Sequence, residues 1–317
     1  MAVVVVTAPE HSLTHDQQGL WSHAVRRLTK NRLAVAAGVV LVFLVVMAVA
    51  TATVPAIEHH PHGQTNWEDT HAGPSTDHFF GTDQAGRDLW ARTWEGTRIS
   101  LKIGVASQLI VLAIGLLVGC GAALGGRYTD GVLMRFTDLM YAFPALLAVI
   151  LFKAILTGRD WPIIGSEGAQ VPGFPGPLLQ VVLAISVVSW VLTARLVRGQ
   201  MLALRETEYV LAAEAIGASR LRQVVAHMLP NTFGPVIVVV TLGIPVAIFA
   251  EAALGFIGFS LPIPSASLGT LVNDGYSNYR INVWELLAPA AAIALLMLTF
   301  TFIGDGLRDA LDPRSTR

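Results

Sequence analysis

The sequence predicts an all-α, polytopic membrane protein with six transmembrane helices. Of its 317 residues, 53% are hydrophobic and only 14% are charged, whereas about 25% of the residues in an average soluble domain are charged. The apolar residues are collected into runs of roughly the 20 residues that a helix needs to cross the hydrocarbon core of a bilayer. The net charge of −1 gives no indication of a nucleic-acid partner. The bilayer is therefore the expected solvent for most of the chain.

Six segments have the length and composition of membrane-spanning helices. In chain order they are 33–57, 103–124, 136–156, 177–194, 232–258 and 286–304. The first, second and sixth contain no charged residue. The third carries Asp138 near one end and Lys153 near the other, and the fifth carries only Glu251. The fourth is short, but a glycine- and proline-rich stretch precedes it and Arg195 and Arg198 follow it.

The distribution of lysine and arginine predicts the orientation of these spans. Segments 1–32, 125–135, 195–231 and 305–317 together hold 14 basic residues, and the segments on the opposite side hold 5. Because cytoplasmic loops carry the excess of basic residues, we expect both termini to lie in the cytoplasm and the protein to reside in the plasma membrane. The predicted organisation is a cytoplasmic segment (1–32), a first transmembrane helix (33–57), an external loop with an interfacial helix (58–98), a core of five transmembrane helices (99–304) with a cytoplasmic loop at 200–231, and a cytoplasmic tail (305–317).

Motifs of common enzymes are missing from the sequence. It contains no G-x-x-x-x-G-K-[ST] phosphate loop, no H-E-x-x-H zinc motif and no G-x-S-x-G nucleophile elbow. The single cysteine, Cys120, lies in an apolar run, where it acts as a small hydrophobic residue. We therefore expect neither an enzyme nor a bound cofactor or metal in this chain.

The 200–231 loop has the pattern of two short helices joined at a glycine. Gly217 suits the left-handed conformation that ends a helix, and Ser219 suits the cap of the next one. Pro230 is expected to stop the pair before the fifth span. The small residues Ala212 and Ala213 give the first helix a slim surface that fits a groove on a partner protein.

This loop resembles the cytoplasmic loop of ABC importer permeases. The family pattern is E-A-A, three residues, Gly, nine residues, and then I-x-L-P. The matching residues are Ala212, Ala213, Gly217, Leu229 and Pro230, and the departures are Leu211 at the first Glu and His227 at the Ile. Three further stretches, at 80–88, at 135–138 with 142–144, and at 304–314, resemble the C-type subunit of the oligopeptide/dipeptide/nickel permease family. These similarities cover the chain from about residue 20 to residue 314.

The resemblance implies a type I ABC importer permease for dipeptides or oligopeptides. In such importers two homologous permease subunits form the path through the lipid membrane, two ATPase subunits bind ATP and Mg²⁺, and an external solute-binding protein delivers the substrate. The loop would couple the path to an ATPase. The residues that the resemblance assigns to this coupling are Tyr209, Ala212, Ala213, Glu214, Gly217, Ala218, Leu221, Leu229 and Pro230.

Three residues are candidates for the path or its gate. Phe143 and Pro144 lie within the third span, and Glu251 lies within the fifth. An ionisable group in a span usually faces protein or a water-filled cavity. For Glu251, contact with a charged end of the substrate and a structural bond to a neighbouring helix are both open.

The external loop contains five of the nine histidines, namely His59, His60, His62, His71 and His78. Their spacing matches no defined metal site, so a solvated loop is the preferred interpretation. A nickel importer that uses these imidazoles is the alternative function, since the family includes nickel permeases. A stand-alone channel or interaction protein is the second alternative, and it would leave the ordered cytoplasmic loop without a role.

Overall fold

We analysed a computed structural model of the chain, which describes residues 25–157, 173–259, 261–262 and 265–311. Within this part the protein is helical, and Thr82 and Asp88 form an isolated antiparallel bridge. Short helical turns occupy Pro55–Glu58 and Trp67–Asp69. The main helices are α1 (Arg32–Thr53), α2 (Leu89–Leu124), α3 (Gly126–Ala142), α4 (Ala145–Thr157), α5 (Gly176–Arg205), α6 (Glu208–Ala215), α7 (Arg220–Phe256), α8 (Leu268–Asn278) and α9 (Trp284–Leu311).

The helices agree with the predicted number of membrane spans. In the described part of the chain, α1, α2, α5, α7 and α9 are each long and apolar enough to cross a bilayer. The bent pair of α3 and α4 passes the same test when it is counted as one span, which gives six. Several helices continue past the predicted hydrocarbon limits; α5, for example, ends at Arg205 rather than at residue 194.

The predicted interfacial helix at 88–98 is instead the beginning of α2. Asp88 caps this helix, because its Oδ1 accepts a hydrogen bond from the Ala91 backbone N–H at 2.9 Å. The following turns are buried inside the protein; Arg92 is surrounded by other parts of the chain, and Trp94 belongs to a cluster that includes residues of α1 and α9. The predicted helix therefore leads into the second span, but most of its residues are buried in the protein and do not lie at the membrane surface.

The third span is broken, although the sequence predicted one continuous helix over 136–156. The axes of α3 and α4 are bent by 95° at a break between Ala142 and Ala145. Phe143 is extended, with φ −76° and ψ 137°. Proline has no backbone N–H and disfavours helical geometry at the preceding residue, so Pro144 ends α3. The Pro144 carbonyl then accepts from the Ala148 N–H at 3.0 Å as α4 begins.

The core is built around α2 and α5, which pack along much of their lengths. Gly115 and Gly119 allow this close approach. A Cβ at Gly115 would lie 2.6 Å from Thr193 Cγ2, and a Cβ at Gly119 would lie 2.7 Å from Val197 Cβ. Helix α7 packs against α2 and α9, α8 packs against α7 and α9, and α1 packs on α9. Small residues thus have the close-packing role that they commonly have between helices in lipid.

A network of ion pairs lies at the end of the molecule at which α2 begins. The Asp83 carboxylate accepts from Arg87 Nε at 2.8 Å and from Arg92 Nη1. Two histidines of the external loop form further pairs, His78 Nδ1 with Asp88 Oδ2 at 2.8 Å and His71 Nδ1 with Glu285 Oε1 at 2.5 Å. The prediction of a solvated histidine loop is therefore wrong for these two residues, which tie the loop to the starts of α2 and α9.

Candidate functional site: an exposed helix pair and an apolar cavity

The connection between α5 and α7 forms an exposed helix pair, residues 208–222. Helix α6 ends at Ala215, and Gly217, two residues later, has the left-handed φ of +86°. The Gly217 N–H donates to the Glu214 carbonyl at 2.9 Å and the Ala218 N–H donates to the Ala213 carbonyl at 3.0 Å. These two bonds are those of a Schellman motif. Ser219 Oγ then accepts from the Arg222 N–H at 3.4 Å and caps the next helix. The predicted glycine junction and serine cap are both confirmed.

The two faces of this pair differ. The inner face rests on a buried apolar cluster that includes Val210 together with Met201 of α5 and Met228 of α7. The outer face exposes large apolar side chains, of which Ile216 is 87% exposed and Leu221 is 66% exposed. The other residues of the predicted coupling set divide in the same way: Tyr209, Ala212, Glu214 and Pro230 are exposed, Ala218 and Leu229 are half-buried, and Ala213 is buried.

The helix does not stop at Pro230, contrary to the sequence prediction. Residues Gln223–Met228 form a π-helical stretch, and the Leu229 N–H donates to the Val224 carbonyl, five residues earlier. Pro230 then falls in the first turn of the α-helix Leu229–Phe256. A proline is tolerated there because the first-turn N–H groups of an α-helix lack partners within that helix. The helix pair is consequently continuous with the fifth span.

A cavity of about 490 Å³ lies beside the break between α3 and α4. Its walls are mostly aliphatic and come from α2, α3, α5 and α7. The polar groups on these walls are those of Gln108, Tyr141, Ser189 and Thr193. Gln108 is only 5% exposed, and its amide makes no hydrogen bond to another residue in the described part of the chain. The cavity therefore offers an apolar lining with a free amide.

The three predicted path residues have different positions relative to this cavity. Phe143 lines it, and Pro144 forms the adjoining break. Glu251 does not line it: the side chain is 0% exposed, and Glu251 Oε2 accepts from Ser100 Oγ of α2 at 2.7 Å. This bond between α2 and α7 agrees with the structural interpretation of Glu251.

Two ion pairs join α3 to α5 between the cavity and the helix pair. Arg198 donates from Nε and Nη2 to the two carboxylate oxygens of Asp130, at 2.5 and 2.6 Å. Arg195 Nη2 lies 2.5 Å from Asp138 Oδ1, and its guanidinium lies 4.6 Å from the centroid of the Tyr141 ring. A cation over an aromatic face is attracted by the ring. Arg195 thus holds a cavity-lining ring against α5.

Comparison with known proteins agrees with this arrangement. Residues 112–317 match the family model of the binding-protein-dependent transport system inner membrane component, and residues 19–74 match the N-terminal transmembrane domain of oligopeptide transport permease C. The chain belongs to this family of transport permeases. The permease is therefore a multi-pass inner-membrane component of an ABC importer. Permeases of this family work with ATPases and solute-binding proteins.

Individual relatives match over almost the full chain. The permease is 38% identical to the oligopeptide transport system permease protein OppC of Bacillus subtilis (strain 168), over 93% of this chain and 90% of that protein. It is 40% identical to the dipeptide transport system permease protein DppC of the same organism, over 98% of this chain and 89% of that protein.

Solved structures show the same fold. An inward-facing structure of the MetNI methionine ABC transporter aligns with a TM-score of 0.51 and 18% sequence identity, covering 70% of the permease and 96% of that chain. The helical architecture of the permease is thus that of a type I ABC importer.

One group of side chains in the described part of the permease has the composition of a metal site. It consists of His59, His60 and Asp77, whose candidate ligand atoms all lie within 4.8 Å of one another. The group lies in the external loop, away from both the cavity and the helix pair.

Two features of the site were not predicted from the sequence. Gln108 and Tyr141 lie in segments whose hydropathy gives no indication of a cavity. Gln108 does have a usable sequence feature: its amide lies within the uncharged run 103–124, and a polar side chain inside an apolar span usually faces protein or a cavity. Tyr141 has no comparable feature.

Proposed function

We propose that the permease is one of two homologous permease subunits of an ATP-driven importer of dipeptides and oligopeptides. The observation that carries this proposal is the similarity, over almost the full chain, to permeases named for oligopeptide and dipeptide transport. In this assembly each permease contributes half of the path through the lipid bilayer, and an external solute-binding protein delivers the peptide.

The exposed helix pair is the proposed docking surface for an ATPase subunit. Its support is the contrast between a buried inner face at Val210 and an outer face that exposes Ile216 and Leu221. A short helix with apolar side chains at its end can enter a hydrophobic groove of a partner. ATP and Mg²⁺ are then bound by the ATPase, and the permease itself supplies neither a nucleotide site nor a catalytic residue. This docking places the helix pair and both termini in the cytoplasm, in line with the basic segments of the sequence.

The cavity is proposed to be this subunit's part of the peptide path. Apolar walls accept peptide side chains of many kinds, because hydrophobic contact is non-directional. The buried Gln108 amide can donate to and accept from the amide groups that every peptide carries. The break at Pro144 lets the wall between α3 and α4 change shape without breaking a continuous helix.

Uptake in cells tests the cargo. Cells lacking the permease are compared with cells that carry it, using labelled dipeptides, longer peptides and nickel in parallel. Loss of peptide uptake on deletion is expected. Loss of nickel uptake with unchanged peptide uptake would overturn the peptide assignment.

The docking surface is tested with a charge placed on the exposed tip. Ile216→Glu should abolish peptide uptake and co-purification of the ATPase, because a carboxylate would be desolvated in an apolar groove. Ile281→Glu is the matched control, since Ile281 is 68% exposed and follows α8, far along the chain from the helix pair. This control should retain the ATPase. Equal ATPase retention in both variants would refute docking at the helix pair.

A further inference from the structure

Two turns of the external loop bring together two imidazoles and a carboxylate, which are side chains of types that can ligate a metal. The first turn follows α1: the His59 N–H donates to the Pro55 carbonyl at 3.1 Å, and the His60 N–H donates to the Glu58 carbonyl at 2.9 Å. The second turn precedes α2 and presents Asp77; the Ser75 N–H donates to the His78 carbonyl at 2.8 Å, and the His78 N–H donates to Ser75 Oγ at 2.9 Å. Backbone hydrogen bonds thus fix both sides of the group.

The geometry of this group points to a shared ion. His60 Nε2 lies 3.6 Å from Asp77 Oδ1. Zinc in proteins binds imidazole nitrogen and carboxylate oxygen at about 2.0–2.2 Å in tetrahedral geometry, so two ligands of one ion lie about 3.3 Å apart. All three ligand atoms, including that of His59, fall within 4.8 Å of one another. The His60–Asp77 pair therefore already has nearly the separation that a shared ion requires.

A second observation comes from hydrogen bonding. His60 Nε2 is buried at the atomic level and has no hydrogen-bond partner in the described part of the chain. A buried polar atom without a partner is costly and usually has a specific explanation. The neighbouring Asp77 is largely exposed, so the group is open to ions from the medium. An ion on His60 Nε2 would provide the missing partner.

Surrounding side chains hold the two imidazoles in place. The His60 ring lies 4.6 Å, centroid to centroid, from the ring of His78, which is itself bonded to Asp88. The His59 ring lies 5.1 Å from the ring of Phe79. His59 also has the left-handed φ of +69°, which is uncommon for a residue other than glycine. Such local strain is often found where a ligand is held.

We propose that His59, His60 and Asp77 bind a zinc-class divalent ion that clips the segment after α1 to the segment before α2. Imidazole and carboxylate are ligands that zinc accepts, and three protein ligands leave a fourth position for water. The ion is a structural part of the external loop and not the transported cargo. This inference does not depend on the peptide substrate proposed above.

The test measures zinc binding to the purified importer complex that contains the full-length permease. The complex is purified with an affinity tag that contains no histidine, because a histidine tag would itself bind zinc. Zinc binding is followed by equilibrium dialysis, and melting temperature is followed with added zinc and with EDTA. His60→Ala and Asp77→Asn should each weaken zinc binding by at least tenfold and abolish the zinc-induced rise in melting temperature. Unchanged zinc affinity in both variants would overturn the site.

His62→Ala is the matched control. His62 belongs to the same loop but pairs with Glu58 at 2.7 Å, outside the proposed ligand set. This variant should bind zinc like the wild type; a loss equal to that of His60→Ala would refute the assigned ligands. Melting in EDTA separates folding from binding, because the Asp77 side chain is largely exposed and Asp77→Asn should then melt at the wild-type temperature. Selective loss of nickel uptake in His60→Ala would refute the structural role and make the site part of a nickel path.

Discussion

Replacing Gly217 with alanine tests whether the conformation of the helix pair controls ATPase docking. An added Cβ at Gly217 would meet no atom within 4 Å, so the substitution introduces no steric clash. Its effect comes from the φ of +86°, since a residue with a Cβ is disfavoured in the left-handed region by about 1–2 kcal/mol. That free energy corresponds to a factor of roughly 5–30 in the population of the native turn.

Gly258→Ala is the matched control, because Gly258 ends α7 in the same way. Its φ is +84°, and no atom lies within 4 Å of an added Cβ. The Gly258 N–H donates to the Gly255 carbonyl at 3.0 Å, and the Phe259 N–H donates to the Leu254 carbonyl at 2.8 Å, which repeats the Schellman bonds of Gly217. The two substitutions should therefore have similar conformational costs at opposite ends of α7.

The assay measures binding of the purified ATPase to permease pairs in lipid nanodiscs, together with peptide uptake in cells. Gly217→Ala should weaken ATPase binding by up to about 30-fold and lower peptide uptake in parallel. Gly258→Ala should leave ATPase binding unchanged. Equal weakening by both variants would show that the effect is general destabilisation, and no weakening by Gly217→Ala would refute a role of the turn in docking.

Three further predictions concern the cavity, the α3–α5 contact and Asp274 of α8. Gly243→Ala should impair peptide uptake while leaving ATPase binding intact, because an added Cβ would lie 2.3 Å from Gln108 Oε1 and force that amide to move; unchanged uptake would exclude the amide from the path. Asp130→Asn should destabilise the purified permease by about 1 kcal/mol, because it breaks the bidentate pair with the partly exposed Arg198, and an unaltered denaturation midpoint would contradict this. Burial raises the pKa of the Asp274 carboxyl in the folded state. The folded state therefore binds this proton more tightly than the unfolded state does. The free energy of unfolding falls as the pH rises from the ordinary pKa of an aspartate through the raised pKa. Asp274→Asn should therefore gain stability relative to the wild type with rising pH, and a relative loss measured by thermal melting would contradict the raised pKa.

The spans could be predicted from the sequence because each depends on a local quantity. A run of about 20 apolar residues has a lower free energy in the bilayer than in water. Five of the six predicted runs are single long helices in the described part of the chain. The limits of these helices were less accurate. Hydropathy reports the hydrocarbon core, whereas α2 extends beyond it through turns that carry buried polar side chains, such as Arg92, whose Nη1 donates to the Asp83 carboxylate.

The chemistry of turns was predictable for a similar reason. Gly217 and Ser219 act on the backbone within a few residues, so their roles follow from the sequence. The two prolines show the limit of this reasoning. Pro144 breaks a helix that hydropathy alone reads as continuous, and Pro230 does not break one because it falls in the first turn of the α-helix that follows the π-helical stretch. Which outcome a proline produces depends on hydrogen bonds that hydropathy does not include.

The ionic network at the end where α2 begins was beyond sequence reasoning. His71 and its partner Glu285 are more than 200 residues apart in the chain. No local pattern links two such groups, and a cluster of histidines in a polar loop has the same composition whether it is solvated or buried. The partners come together only in the folded chain, in which α2 and α9 pack against each other.

Helix α5 provides the physical connection between the helix pair and the cavity. Near its end, Val197 and Met201 belong to the apolar cluster that supports the helix pair, and further towards its start Ser189 and Thr193 line the cavity. The only proline of α5 lies at its N-terminus, whereas the part of α7 over Leu229–Phe256 contains Pro235 and Pro245 in its interior. An unbroken helix moves as a unit, while interior prolines are common sites of bending. If the helix pair is displaced, we therefore expect the displacement to reach the cavity wall through α5, with α7 bending to accommodate it.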